Sequence, residues 1–181
     1  MTIDIVIVDY DPEWPVAFER EAATLAAAFG SVAHQIDHVG STAVPGLGAK
    51  PVIDIQVSVA ALQPLAAYAQ PLGACGYTFF EPPDGELDDY PFFYKPSVWP
   101  HTHHVHVCVS GSEREWVQLA FPAWLRAHAD DRAAYEALKR DLAQRRWRHG
   151  DEYADAKTEF VARVVHDMRA DPPLPLPSSA G

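Results

Sequence analysis

Apolar and polar residues alternate along this chain with two periods, every two residues in some segments and every three to four in others. The two-residue period is typical of β-strands, and the longer period is typical of amphipathic helices. Strands are predicted at residues 3–8, 32–39, 52–59, 77–80, 92–95 and 103–109. Because helical segments lie between some of these strands and follow the last of them, the pattern predicts an α/β (α+β) fold in which helices flank a mixed sheet.

The predicted helices are bounded by proline and glycine. The first begins after Asp11 and ends at Gly30. Its apolar stripe has the i, i+4, i+7, i+11 spacing and consists of Phe18, Ala22, Leu25 and Phe29. A second helix is predicted at residues 62–72, and C-terminal helices fill residues 113–168. Pro122 is expected to divide the first C-terminal helix from the second, because proline lacks the N–H that continues a helix.

Length and composition indicate one domain. The chain has 181 residues, of which 48% are hydrophobic, enough for one full-sized core. The domain is predicted at residues 1–170, and the proline-rich residues 171–181 are predicted to be a disordered tail. No apolar run is long enough to span a membrane, and the N-terminus lacks signal-peptide features, so we expect a cytoplasmic protein.

The charge of the chain limits the classes of molecule that it is expected to bind. The net charge of −11 argues against broad binding to nucleic acid, which requires a basic surface. The segment 139–149 is locally basic, and it is interpreted either as a site for an anionic ligand or as a solvated helix face. The acidic loop at residues 81–90 is interpreted either as a mobile lid or as a passive surface connection.

A Gly-Ser turn lies between two predicted strands. Gly40 and Ser41 end one strand, and twelve residues separate Ser41 from Asp54 on the next. This spacing is that of a nucleotidyltransferase core, in which the turn holds a triphosphate and an Asp-x-Asp pair holds Mg²⁺. Gln56 stands at the second carboxylate position. The chain therefore resembles a nucleotidyltransferase in which half of the metal site is replaced.

A histidine-rich strand supplies further candidate ligands. If Val105 and Val107 point inward, His104 and His106 share the opposite face, with their rings about 7 Å apart. Together with Asp54 they form a predicted site for a divalent ion, Mg²⁺, Mn²⁺ or Zn²⁺, and imidazole favours the transition metals. The alternative is a cluster without a ligand, made of surface histidines and hydrogen-bonded core histidines.

Several longer strings are similar to those of one family. They are VDYDPEWPVAFEREAATL, HVGSTAVPGLGAKPVIDIQVSV, THHVHV, LAFPAWLRAHADDRAAYEALKRDLA and YADAKTEFV, and they cover most of residues 6–165. By these strings the chain resembles the GrpB family of bacterial proteins. The resemblance implies a nucleotidyltransferase-like fold, no firmly assigned reaction, and occasional fusion to dephospho-coenzyme A kinase, for which an accessory or folding role has been proposed.

The resemblance also marks individual positions. Those matching the family pattern are His38, Gly40, Ser41, Pro45, Gly46, Lys50, Pro51, Asp54, Lys95, His103, His104, His106, Tyr153 and Lys157. Members of the family, like this chain, lack a second carboxylate at Gln56. The family commonly has arginine directly before THH, where this chain has His101, and this puts in doubt an arginine contact to phosphate there.

Two functional hypotheses follow. In the first, a metal-dependent nucleotidyltransferase-like enzyme uses Asp54, His104 and His106 as metal-binding catalytic residues and binds a nucleotide or another phosphate-bearing small molecule. Its predicted phosphate-binding residues are His38, Gly40, Ser41, Lys50, Lys95 and Lys157. In the second, the chain is a non-catalytic module of the same fold that serves as a partner-binding or folding accessory. Gln56 favours the second hypothesis, and the Asp54 and histidine set favours the first.

Overall fold

A five-stranded mixed sheet forms the centre of the computed structural model, which describes residues 3–82, 90–148 and 150–175. In spatial order the strands are β2 (Ala33–Val39), β3 (Ile53–Val59), β6 (His103–Val109), β5 (Phe92–Lys95) and β4 (Thr78–Phe79). Strands β3 and β6 are parallel, and the other neighbouring pairs are antiparallel. The prediction of a mixed sheet is confirmed, and its five strands lie within a residue or two of the predicted segments.

Helices cover both faces of the sheet. They are α1 (Glu13–Phe29), α2 (Ala66–Ala74), α3 (Glu113–Ala127), α4 (Ala129–Leu142), α5 (Gly150–Asp155) and α6 (Thr158–Ala170). Residues of α1 and α2 pack on the apolar face of β3 and β6, whereas α3 contacts the opposite face. Helices α4 and α6 pack around α3 in a second apolar cluster, and Tyr153 of α5 packs in a third cluster with Ile5 and Leu142. The candidate ligands of β3 and β6 therefore face the C-terminal helices.

The predicted N-terminal strand is much shorter than expected. Strand β1 (Ile3–Asp4) pairs antiparallel with β7 (Arg146–Trp147) in a separate ribbon, and Val8 makes an isolated bridge to Ala49. The prediction of a strand at residues 3–8 was therefore wrong for its second half. Alternation alone did not reveal that the partner of this segment is only two residues long and far away in sequence.

Pro122 does not divide a helix. Helix α3 runs through it, so the predicted break was wrong. A proline removes one hydrogen bond from a helix, and that loss can be offset by packing on both sides of it. Here Trp116 and Trp124 are both buried in the same apolar cluster, which holds the two halves of α3 on one surface. Helix α2 likewise contains Pro71 and continues to Ala74.

Two predicted segments, the acidic loop and the C-terminal tail, lie partly outside the described residues. Residues 83–89 of the acidic loop and residues 176–181 of the tail lie outside the described residues. Leu174, however, packs against the C-terminal cluster, and its carbonyl accepts a hydrogen bond from Trp116 Nε1 at 3.3 Å. Ordered packing thus extends beyond the predicted boundary at residue 170. Of the helices described, none combines the length and the apolar character needed to cross a membrane.

Candidate functional site

Asp54, His104 and His106 lie together on the polar face of the sheet. The parallel register pairs Asp54 with His104 and Gln56 with His106. The intervening residues point to the opposite face and are fully buried, namely Ile55, Val57, Val105 and Val107. The two-residue period of the strands, combined with their parallel pairing, therefore brings the three candidate ligands to one place.

The geometry of this set fits one ion. His104 Nδ1 lies 3.2 Å from Asp54 Oδ1, and the ligand atoms that the three residues offer all lie within 4.8 Å of one another. The rings of His104 and His106 are 6.5 Å apart between centroids, close to the predicted 7 Å. Two ligands of one zinc-like ion, each bound at about 2.0–2.2 Å, are separated by roughly 3 Å, as His104 and Asp54 already are.

The protonation states suit metal binding. Burial lowers the pKa of His106 to about 4, so its ring is neutral near pH 7. Burial raises the pKa of Asp54, but the hydrogen bond and charge of His104, with the charges of His106 and Lys50, outweigh burial and hold it at about 2. A neutral imidazole and an ionised carboxylate are the forms in which these side chains bind metals.

The Gly-Ser turn is built around Asp54. Gly40 has φ 68° and ψ −167°, a conformation that is essentially restricted to glycine. A Cβ atom at Gly40 would lie 2.5 Å from Asp54 Oδ2 and 2.9 Å from Asp54 Cβ. The turn then continues as a short 3₁₀ helix, Ser41–Ala43. Gly40 is therefore needed both for the backbone conformation and for the close approach to the carboxylate.

A cleft of about 730 Å³ opens above these residues. Gly40, Ser41, Asp54, His104 and His106 all line it, as does an aromatic wall. We define the aromatic wall as Phe80, Tyr90, Phe92, Tyr94, Trp99 and Phe121. A volume of this size holds a ligand as large as a nucleotide.

Three lysines also line the cleft. Lys50, Lys139 and Lys157 reach it from three different segments, and Asp54 is the only acidic side chain among the described lining residues. The ammonium groups of Lys50 and Lys157 lie 5.2 and 4.6 Å from the ring centre of Tyr153. Burial and the charge of Lys157 lower the pKa of Lys139 to about 7. The cleft is thus locally basic in a strongly acidic protein.

Among the described residues of the predicted basic segment 139–149, only Lys139 lines the cleft. Lys139 is 2% exposed and donates a hydrogen bond to the Gly48 carbonyl at 2.5 Å. Three arginines of the segment form ion pairs elsewhere: Arg140 with Asp9 and Glu136, Arg145 with Asp141, and Arg148 with Glu152. The charges of these three arginines are therefore compensated by acidic side chains, whereas Lys139 reaches the cleft; residue 149 lies outside the described chain.

Lys95 is not part of the cleft. It lies on the opposite face of the sheet, where its ammonium group contacts Glu21 Oε1 at 2.7 Å and lies 4.8 Å from the ring centre of Tyr77. The alternation of β5 explains this, because Tyr94 pairs with His104 on the cleft face and Lys95 pairs with His103 on the other. The structure thus separates Lys95 from the predicted site residues that line the cleft, and His103, a position of the family pattern, lies on the same face as Lys95.

His38 supports the turn from behind. Its ring stacks on Phe18 at 4.8 Å, and its Nε2 lies 3.0 Å from Thr42 Oγ1, which in turn donates to the Val52 carbonyl. Burial lowers the pKa of His38 to about 4, so the neutral ring can donate to Thr42. His38 does not line the cleft. Its place in the structure is that of a scaffold for the turn, not of a ligand contact.

Gln56 occupies the position of the missing second carboxylate. It is fully buried, lies between Asp37 and His106 in the sheet register, and its amide atoms have no partner among the described residues. An amide here brings no negative charge. The site therefore has one carboxylate and two imidazoles where an Asp-x-Asp site has two carboxylates.

The aromatic wall could not be identified as a unit from sequence, because its residues come from β5, from α3 and from the connections around β4 and β5. Trp99 is 40% exposed and Phe80 is 39% exposed, which is high for such large apolar side chains. Tyr90 stacks on His106 at 4.6 Å, so the wall reaches the candidate metal ligands.

Comparison with known proteins identifies relatives over nearly the whole chain. A protein-family model described as "GrpB protein" matches residues 4–167. The UPF0157 protein BH1888 of Halalkalibacterium halodurans is 39% identical over 168 residues, covering 92% of this chain and 83% of that protein. A protein of Mycolicibacterium paratuberculosis named dephospho-CoA kinase is 37% identical over 161 residues, covering 77% of this chain but only 40% of that protein.

Solved structures support the same assignment. GrpB from Enterococcus faecalis superposes with a TM-score of 0.69 at 26% identity, covering 88% of this chain and 99% of that one. A structure of the Cid1 poly(U) polymerase superposes with a TM-score of 0.50 at 13% identity, over 77% of this chain and 43% of that one, which is a likeness of fold alone. The fold is nucleotidyltransferase-like, as predicted, and the chain belongs to the GrpB protein family.

Proposed function

We propose that this protein is a metal-dependent nucleotidyltransferase-like enzyme that binds a nucleotide or a related phosphate-bearing small molecule in the cleft. The observation that carries the proposal is the convergence of Asp54, His104 and His106 beside the Gly-Ser turn, in a cleft that three lysines also line. A carboxylate and two imidazoles form a ligand set that suits a divalent transition metal. Three lysines in one cleft favour a ligand with several negative charges.

Different side chains of the cleft bind different parts of the ligand. Lys50, Lys139 and Lys157 neutralise the phosphate groups as point charges, and Ser41 offers a hydroxyl donor at the turn. Gly40 keeps the backbone clear of side-chain atoms at the point where the phosphate approaches. The aromatic wall offers flat surfaces on which a nucleobase can stack.

Asp54, His104 and His106 would hold the metal ion. When bound, a divalent metal supplies Lewis-acid stabilisation of the charge that develops on phosphate oxygens. With Gln56 in place of a second carboxylate, the residues favour one ion over two. The proposal is therefore a one-metal transferase or a metal-dependent hydrolase, not a polymerase that depends on two metals.

The second candidate is a non-catalytic module that binds a partner protein. Gln56 favours it, because a nucleotidyltransferase core ordinarily has a carboxylate at this position. The relatives named dephospho-CoA kinase are consistent with it as well, since the chain spans only about two fifths of the example above. In this case the cleft would hold neither a metal nor a nucleotide.

Metal analysis combined with thermal unfolding separates the two candidates. The purified protein is loaded with Zn²⁺, Mn²⁺ or Mg²⁺, and its melting temperature is measured with and without nucleoside triphosphates. The enzyme proposal expects bound metal and a rise in melting temperature that depends on nucleotide concentration. If neither metal nor nucleotide binds at micromolar concentration, the enzyme proposal fails and the partner-binding module remains.

Replacing Lys157 with alanine should weaken binding of inorganic tripolyphosphate. A hydrogen bond to a charged group contributes about 1.5–3 kcal/mol, so we expect a loss of roughly tenfold or more, measured by isothermal titration calorimetry. Lys95→Ala is the matched control, because Lys95 lies on the opposite face of the sheet. Equal losses in both variants would show that the phosphate does not bind in the cleft.

Replacing Trp99 with alanine should weaken binding of a nucleoside triphosphate but not of tripolyphosphate. Stacking of a base on an aromatic side chain contributes about 1–3 kcal/mol, so the ratio of the two affinities should fall roughly tenfold. The control is Val98→Ala, the exposed neighbour of Trp99. An unchanged ratio in Trp99→Ala would mean that the base does not rest on this part of the aromatic wall.

A further inference from the structure

We infer that His101 is a positioning residue that sets which nitrogen of His104 carries the ring proton, and so prepares His104 to bind metal. The inference rests on the metal site of the proposed function and extends it to a residue outside the ligand set. His101 lies in the connection between β5 and β6 and lines the cleft.

The two nitrogens of His104 face different partners. His104 Nδ1 lies 3.2 Å from Asp54 Oδ1, on the side of the candidate ligands. His104 Nε2 lies 3.1 Å from His101 Nδ1, on the side away from Asp54. The atoms thus form a chain from His101 through His104 to Asp54, and the nitrogen available to an ion held beside Asp54 is Nδ1.

Metal binding fixes the proton positions along this chain. A neutral imidazole carries one ring proton, and the nitrogen that binds metal must present its lone pair. If His104 Nδ1 binds the ion, the proton is on Nε2 and must be donated, and the atom in place to accept it is His101 Nδ1. This is the hydrogen bond from the second ring nitrogen that metal-binding histidines commonly make.

Histidine suits position 101 because its Nδ1 can either donate a hydrogen bond to His104 Nε2 or accept one from it. In the metal-free protein His104 Nδ1–H can donate to the ionised Asp54, and Nε2 then accepts from His101 Nδ1–H. In the loaded protein His104 donates from Nε2 to His101 Nδ1, and His101 carries its own proton on Nε2. Both rings keep one proton in each state, so the hydrogen bond is kept while its direction reverses.

Packing holds the His101 ring in the position that its hydrogen bond with His104 requires. The ring stacks on Tyr94 with 4.4 Å between centroids and 16° between planes. Trp99 meets it edge-on at 5.2 Å. Tyr94 is also the cross-strand neighbour of His104. The aromatic wall therefore fixes the distance between the two histidines, and a substitution that keeps the stacking can test the hydrogen bond by itself.

Three variants separate the hydrogen bond from the packing. His101→Phe keeps a ring against Tyr94 but has no polar atom. His101→Asn lacks the ring, but its amide can donate or accept near the position of Nδ1. His101→Arg introduces the residue that the family resemblance marks at this position, and it can only donate, which opposes a proton on His104 Nε2.

The experiment measures Co²⁺ and Zn²⁺ affinity by competition with a chelator, the visible spectrum of bound Co²⁺, and ¹⁵N chemical shifts of the His104 ring in the Zn²⁺-loaded protein. Loss of an outer hydrogen bond to a metal ligand typically costs 10- to 100-fold in affinity, so we expect about that loss in His101→Phe. His101→Arg should lose at least as much, and His101→Asn should recover most of it. The ¹⁵N shifts should place the His104 proton on Nε2 in the wild type.

Each result decides the inference. If the wild type binds metal and His101→Phe or His101→Arg binds it equally well, the inference is overturned while the metal site stands. The same holds if His101→Asn binds no better than His101→Phe, or if the ¹⁵N shifts place the His104 proton on Nδ1. If the wild type binds no metal, the proposed site and this inference fall together. Melting temperatures of the metal-free variants show whether each remains folded.

Discussion

Replacing Asp54 with asparagine is expected to abolish metal binding. Asp54 is the single carboxylate in the candidate ligand set, and its neighbours are two imidazoles and three lysines. Without its charge, a divalent cation would have to enter a cleft lined by ammonium groups. We expect a loss in metal affinity of more than about 100-fold, beyond what changes outside the ligand shell produce. Chelator competition measures the affinity, and the nucleotide-dependent rise in melting temperature should disappear with it.

Asp37→Asn is the matched control for this variant. Asp37 lies on β2 of the same sheet, where it pairs with Gln56 of β3, but it does not belong to the ligand set. The same chemical change at Asp37 should leave metal affinity near that of the wild type. If Asp54→Asn retains its metal, or if both variants lose it equally, then Asp54 is not a ligand and the ion binds elsewhere.

Much of the core of this site could be predicted from sequence, because strand alternation is a local property. A two-residue period separates Asp54 from Ile55 and His104 from Val105 in any sheet. The sequence also indicated that the two polar faces would meet, and the parallel register of β3 and β6 pairs Asp54 with His104. The family resemblance supplied the remaining constraint, which was the fold in which these strands are neighbours.

The cationic side of the cleft was harder to predict, since it depends on how distant helices pack. Lys139 lies in a segment in which Arg140, Arg145 and Arg148 form surface ion pairs. Its own burial results from the packing of α4 against the backbone of Gly48. Lys95 was misplaced for a different reason. The register of β5 was unknown, and a shift of one residue moves a side chain to the other face.

His101 shows what a substitution means once its surroundings are known. From the sequence, His101 indicated only that an arginine able to contact phosphate, common in the family, is replaced here. In the structure its ring lies between Tyr94 and His104, with a nitrogen 3.1 Å from a candidate metal ligand. The position of a ring nitrogen relative to a neighbouring ring is set by tertiary packing. Neither periodicity nor composition carries that information.

Gln56 acquires a similar context. Considered alone, Gln56 indicates that a two-carboxylate metal site has been lost. With His106 as its neighbour in register, the same site contains one carboxylate and two imidazoles, which is a change of ligand type. Carboxylates alone suit Mg²⁺, whereas a mixed set with imidazole suits transition metals. The metal preference of the purified protein therefore tests whether the site was lost or altered.

Replacing Gly40 with alanine is expected to have the largest effect on the folded state of the site. The backbone conformation at Gly40 costs any other residue about 1–3 kcal/mol. The added methyl group would also overlap Asp54, with 2.9 Å to its Cβ, which belongs to a central strand and cannot move freely. Overpacking typically adds a further 1–3 kcal/mol, so the free energy of unfolding should fall by about 2–6 kcal/mol. Metal binding should be lost as well, because Asp54 would be displaced.

Gly46→Ala separates the two contributions. Gly46 also has a positive φ, 76°, but a Cβ there would meet no atom within 4 Å. This control should therefore lose only the backbone term, about 1–2 kcal/mol, and should keep its metal. Urea unfolding of both variants gives the difference in stability, and chelator competition under native conditions gives the metal affinity. Equal stability losses, or intact metal binding in Gly40→Ala, would show that the turn does not hold Asp54 in place.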